Sequence, residues 1–140
     1  MVLLDSDHMS LLQRGGAEGQ RIWQRLRALP PDDVATTIVS YEEQTRGWLA
    51  RIARATTLER QMSDYGELKQ LLQNYCNLAV LDFDVRAAAE FERLRQAHVR
   101  IGTMDLKIAA IALSNDATLL TRNLSDFVKV PDLKVEDWSA

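Results

Sequence analysis

The chain has 140 residues, is 46% hydrophobic and carries a formal charge of −3 at pH 7; that is length and apolar content enough for one core without disulfides or metals. With 20 acidic against 17 basic residues it has no overall basic footprint, so a nucleic-acid partner would have to be held by a local basic patch or by metal ions. No apolar run approaches the ~20 residues of a membrane span, and MVLLDSDHMS reaches an aspartate too early for a signal peptide, so the expected location is the cytoplasm with no membrane partner.

Val2-Leu3-Leu4 is a short apolar run that fits a strand buried on both faces, and it delivers Asp5, Ser6 and Asp7 to its carboxyl end. An aspartate directly after a buried strand has little structural purpose, so Asp5 reads as functional. Met9 to Gln13 predicts one or two helical turns before Gly15-Gly16. Ile22, Leu26 and Leu29, broadened by Trp23, then mark one face of a helix ended by Pro30-Pro31. The β-branched run VATTIV, within 33–39, predicts a second strand. Ser40 follows it with Glu43 at capping-box spacing. That helix has a stripe of Tyr41, Thr45, Trp48, Leu49 and Ile52, with Arg46, Arg51 and Arg54 around its other sides.

A further capping box, Thr56 to Glu59, predicts a helix with the stripe Leu58, Met62, Tyr65, Leu68, Leu72 and Tyr75, forming a hairpin with the one before. Cys76 is the only cysteine and has no CxxC or Cys/His spacing; it is expected to be buried and inert. Leu78 to Phe83 predicts a third strand, and Asp84 caps a helix with Val85, Ala88, Phe91 and Leu94 inward. After Gly102, Thr103 can cap a helix with Asp105 in its first turn, and Ile108 to Leu113 leave that helix almost no polar surface. Ser114-Asn115-Asp116 breaks it, Ala117 to Thr121 supplies a strand, and Arg122 to Asp126 is a polar loop at that strand's carboxyl end. A last short strand around Leu133-Lys134-Val135 follows Pro131. Alternating strands and helices imply a single α/β domain, 1–140, with a mostly parallel central sheet and helices on both faces.

Acids delivered by strand ends or first helical turns are Asp5, Asp7, Glu42 or Glu43, Asp105, Asp116 and Asp126. Convergence of Asp5, Glu43, Asp105 and Asp126 would be repulsive unless a divalent cation joined them. Oxygen ligands without His or Cys suit Mg²⁺ or Mn²⁺, which activates water and orients a phosphodiester. Plainer readings stand beside these: Glu43 as the return half of a capping box, Asp105 as a helix-dipole residue, Asp116 as a turn residue. His8 and His98 are isolated and read as solvated or locally bonded.

Five segments, LLDSD, SYEEQTRG, TMDLKIAAIAL, TLLTRNLSDF and LKVEDW, occur in the order typical of PIN domains, and across its whole length the chain resembles that family, most of all the VapC and FitB type of toxin from bacterial toxin–antitoxin pairs. The resemblance implies a PIN-like fold and a Mg²⁺-dependent (or Mn²⁺-dependent) ribonuclease. It assigns Asp5, Glu43 and Asp105 to the metal site, with Asp126 as the fourth acid where many relatives have one at the position of Asn123. Thr121 matches the hydroxyl residue common at the late strand's end, and Ser6, Asp7, Thr121 and Asn123 form the surrounding shell, Asp7 as an added ligand or the cap of the next helix. It further implies an RNA substrate, a homodimer paired through helices carrying Trp48 and several leucines, and a cognate antitoxin placing an arginine or lysine against Asp5, Glu43 and Asp105. Two other functions fit parts of the pattern: a haloacid-dehalogenase-like phosphatase with Asp5 as nucleophile and Asp7 as acid/base, and a non-catalytic binding module of the same fold.

Overall fold

In the computed structural model, which describes residues 1–140, the first apolar run becomes the middle of the sheet. β1 (Val2–Leu4) lies between β2 (Val34–Thr37) and β4 (Thr118–Leu120), while β3 (Ala79–Leu81) and β5 (Lys134–Glu136) form the edges, in the order β3-β2-β1-β4-β5. Every pairing is parallel. Leu3 registers with Ala35 and Leu119, so the carboxyl ends of the three inner strands emerge side by side, where open parallel sheets gather their chemistry.

Alternation along the strands divides the core in two. Leu3, Ala35 and Leu119 face a layer that includes α5 (Val85–Gln96) and α6 (Thr103–Ser114). Val2, Leu4, Val34 and Leu120 face α1 (Ser6–Arg14), α2 (Ala17–Leu26) and α4 (Leu58–Cys76). α3 (Ile38–Arg54) contributes Val39 to the first layer and packs Tyr41 and Trp48 on the second; α7 (Leu124–Phe127) is a single turn after β4. In α6, Ile108 to Ala112 are all buried, as its lack of a polar face requires. Between α1 and α2 the chain turns at Gly15, whose φ of 72° is left-handed, and Gly19 lets α2 approach α1 so closely that a side chain would collide with the Leu11 carbonyl.

Several local expectations are corrected by how the helices meet the sheet. The second strand ends at Thr37, and Ile38 and Val39 already belong to α3: Thr37 is the cap, its Oγ1 accepting from Ser40 N at 2.9 Å. Thr57, not Thr56, caps α4, accepting from Arg60 N, and Gly102 rather than Thr103 stands at the cap of α6. The α4 stripe is displaced: Leu71 and Tyr75 are buried, whereas Leu58, Met62, Tyr65 and Leu72 are exposed. Cys76 lies outside that inward face and is exposed, not buried. In α5 the inward residues are Ala87, Phe91 and Leu94, while Val85 and Ala88 face out; Trp23 on α2 is likewise half exposed. Asp84 does cap α5, accepting from Ala87 N.

Candidate active site

Asp5 leaves β1 with its backbone N–H still donating to Leu120 O, and its Oδ1 accepts from His8 N at 2.8 Å. It is therefore the N-cap of α1, which corrects the expectation that an acid here has little structural purpose. Oδ1 of this buried carboxylate satisfies the helix end, and Oδ2 takes no hydrogen bond. Glu43 stands on the second turn of α3, freed from capping because Thr37 starts the helix, and its Oε1 accepts from Ser6 Oγ at 2.7 Å. Glu42 instead pairs with Arg46 one turn along, at 2.6 Å, so Glu43 is the acid turned toward the strand ends.

Asp105 is in the first turn of α6 and half buried. Burial first, then the negative charges of Glu43, Asp5 and Asp126, push its carboxyl up to about 6. Asp105 thus senses acids from three other elements at the carboxyl edge of the sheet. Asp126 is at the rim, where the Asn123 amide, outweighing slight desolvation, and then Lys129 hold it below the usual carboxylate range. Asn123 Nδ2 donates to Asp126 Oδ2 at 3.0 Å, so the two are a hydrogen-bonded pair rather than alternatives. Behind them, the buried Thr121 accepts from Asn123 N through Oγ1 and shapes the turn.

Asp7 neither caps α1 nor joins the acids. Both its oxygens accept from Arg122, Nε at 2.6 Å and Nη2 at 3.2 Å, and Arg122 Nη1 reaches Glu18 at 2.8 Å. This clamp ties α1 and α2 to the loop after β4 and removes Asp7 from the acid/base role a phosphatase of the haloacid-dehalogenase kind would need. Asp116 is a turn residue with φ 48°, exposed beside Lys134.

The acids are oxygen donors only, which fits a hard divalent cation, and such a cation would offset both the burial and the neighbouring charges that raise the Asp105 carboxyl. As placed, no three Asp, Glu, His or Cys side chains are near enough to share one ion.

Two residues near the acids escape a reading of local patterns. Tyr75 of α4 is buried edge-on to Tyr41, with its hydroxyl donating to Gln44; burial chiefly, and Glu43 and Asp5 besides, raise the phenol well above its ordinary value. His8 is not solvated but fully buried, between Asp5 and the segment after β5. Its place on the inward face of α1 with Leu11 is the signal that could have revealed it.

Comparison with known proteins agrees with this fold. The family profile described as PIN domain matches residues 2–133. Ribonuclease VapC2 of Rickettsia felis is 35% identical over 65 residues, 44% of this chain and 48% of that protein. The tRNA(fMet)-specific endonuclease VapC of Salmonella typhimurium is 37% identical over 65 residues, 44% of this chain and 49% of that protein. These matches span about half the length of either relative. Among solved structures, VapBC-1 from nontypeable Haemophilus influenzae superposes with a TM-score of 0.75 at 23% identity, covering 100% of both chains, a likeness of fold. With the profile spanning β1 to β4 and ending just before β5, which is nearly the whole chain, the chain belongs to the PIN domain family.

Proposed function

We propose that this protein is a divalent-metal-dependent endoribonuclease, the toxin of a toxin–antitoxin pair. The observation that carries the reading is the approach of Asp5, Glu43 and Asp126 to Asp105, whose carboxyl burial first and then these three charges push up to about 6. The names of the relatives, ribonuclease VapC2 and tRNA(fMet)-specific endonuclease VapC, support RNA as the substrate class. Mg²⁺ or Mn²⁺, when bound, supplies an activated water and neutralises charge on the phosphodiester. Asp5 and Asp105 would hold the cation from the sheet and from α6, with Glu43, steadied by Ser6, on the α3 side and Asp126, steadied by Asn123, at the rim. The apolar α6 behind Asp105 keeps that carboxylate desolvated and so responsive to a cation.

The test is cleavage of RNA with Mg²⁺ by the parent and by Asp5→Asn, which changes charge and not volume and keeps an N-cap. The variant should be folded and inactive; a variant that cuts as fast as the parent overturns the mechanism. Failure of the parent to bind Mn²⁺ in large excess would favour the non-catalytic binding module.

The partner reading rests on the same charge. Solved structures that share the fold include a toxin–antitoxin complex from Klebsiella pneumoniae, and an acidic groove on a chain of charge −3 suits a cationic side chain from an antitoxin, set against Asp5, Glu43 and Asp105. A homodimer is part of the same proposal, supported by the apolar side chains that α3 and α4 leave exposed, Leu49, Leu58, Met62, Tyr65 and Leu72.

A further inference from the structure

His8 has no exposed surface, and the mechanism above leaves it unused. Its ring lies between the N-cap of α1 and the segment Asp137–Ser139 that follows β5. The backbone N–H of Trp138 donates to His8 Nε2 at 3.2 Å. An amide can only donate, so Nε2 must present a lone pair, and the proton of the neutral ring sits on Nδ1. Nδ1 is buried with no hydrogen-bond partner, and the carboxylate oxygen beside it is Asp5 Oδ1 at 3.6 Å. That separation exceeds an ordinary hydrogen bond by roughly half an ångström, a gap a small rotation of Asp5 closes.

The other side of the ring is fixed independently. Asp137 Oδ1, 3.6 Å from Nε2, already accepts from Ser139 N at 2.8 Å and Ser139 Oγ at 2.6 Å. Burial pushes Asp137 up, but these two donors, together with nearby positive charge, outweigh it and hold the carboxyl below its usual range. Ser139 O in turn accepts from Arg21 Nε at 2.7 Å, and the Arg25 guanidinium lies 4.2 Å over the Trp138 ring. α2 thus pins the segment whose amide selects the tautomer of His8.

Resting on the metal-site reading of Asp5, we propose that His8 is a positioning residue. Its Nδ1–H joins its own backbone N–H in directing both donors at Asp5 Oδ1, so that Oδ2 is kept for the cation; the segment after β5, through Trp138 N, sets the tautomer that makes this possible. Outer partners of this kind fix the orientation of a ligand and its affinity for metal.

Two measurements test it. Long-range proton–nitrogen correlation on nitrogen-15-labelled protein at neutral pH, with His98→Gln to separate the two histidines, should find His8 protonated at Nδ1 and bare at Nε2. Protonation at Nε2, alone or with Nδ1, overturns the proposal. Calorimetric Mn²⁺ titration of His8→Leu should show affinity weakened about tenfold or more, and His8→Asn, whose amide can restore a donor at the Nδ1 position, should recover most of it. A folded His8→Leu that binds Mn²⁺ as tightly as the parent reduces His8 to packing and also overturns the proposal. Should His8→Leu not fold, the tautomer of the parent decides. A parent that binds no Mn²⁺ sinks the nuclease reading instead, and the tautomer measurement tells that failure apart from this one.

Discussion

Asp105 is the residue whose chemistry is most altered by its surroundings. Its carboxyl ionises near 6 in the fold against 3.8 ordinarily. A folded-state value above the unfolded one favours the fold at low pH; that contribution is complete below about 3.8, is lost as pH rises through about 6, and stays lost at neutrality. Asp105→Asn should therefore abolish cleavage while stabilising the metal-free protein at pH 7.5, by on the order of 1 kcal/mol once solvent screening of a half-exposed group is allowed for. Chemical unfolding at pH 7.5 and pH 4 checks this, since the gain should vanish at the lower pH. A stabilisation equal at both would mean that amide packing, not charge, is responsible. For the same reason Mn²⁺ affinity should fall as pH drops below 6, where a proton competes for Asp105.

At the scale of elements, α1 is where structure and chemistry share atoms. Because Asp5 caps α1 through Oδ1, its substitutions separate two effects that would otherwise be confused. Asp5→Asn retains a cap acceptor and should unfold within a degree or so of the parent, whereas Asp5→Ala should lose about 1 kcal/mol, a few degrees of Tm for a domain of this size. Both should be inactive; thermal unfolding distinguishes them, and equal losses of stability would remove the capping role. The α1–α2 contact is set by Gly19, which has no room for a methyl group against the Leu11 carbonyl. Gly19→Ala should cost about 1–3 kcal/mol through forced backbone separation, outweighing the helix-propensity gain of alanine. Because Arg21 and Arg25 on α2 hold the segment behind His8, the same change should also weaken Mn²⁺ binding.

For the molecule as a whole, charge and exposed apolar surface make opposite demands on salt. Antitoxin inhibition that depends on a cationic side chain in the acidic groove should weaken as ionic strength rises from 0.05 to 0.5 M, as the Debye length shrinks from more than 10 Å toward a few ångström. Pairing through the apolar residues of α3 and α4 should persist or strengthen over that range. Light scattering at micromolar concentration should give twice the chain mass of 15.9 kDa, and Met62→Glu, at a side chain 74% exposed, should return it to monomer without loss of fold. A monomeric mass for the parent would remove the dimer.

The order of the elements was legible without tertiary structure, because it follows from local rules; those rules also supplied the candidate acids, from which the family resemblance selected Asp5, Glu43, Asp105 and Asp126. Val2-Leu3-Leu4 fits a buried strand and the apolar run of α6 requires a helix covered on several sides, and Asp5, Glu43, Asp105 and Asp126 lie at or near the ends of such elements. What the acids are bonded to was not legible. The Ser40–Glu43 spacing looked like a cap until the turn at Thr37 started α3 earlier, and Asp7 looked like a ligand until Arg122, 115 positions away, took both its oxygens. The inward face of α4 and the exposure of Cys76 likewise depended on where that helix meets the sheet, since its apolar residues occupy more than one side. His8 shows the limit most sharply: its partner, Trp138 N, is 130 residues distant, and no periodicity within a helix records a contact made when the far end of the chain packs against it. Local pattern specifies elements; the pairing of side chains across the molecule is decided only when the sheet brings distant segments to the same edge.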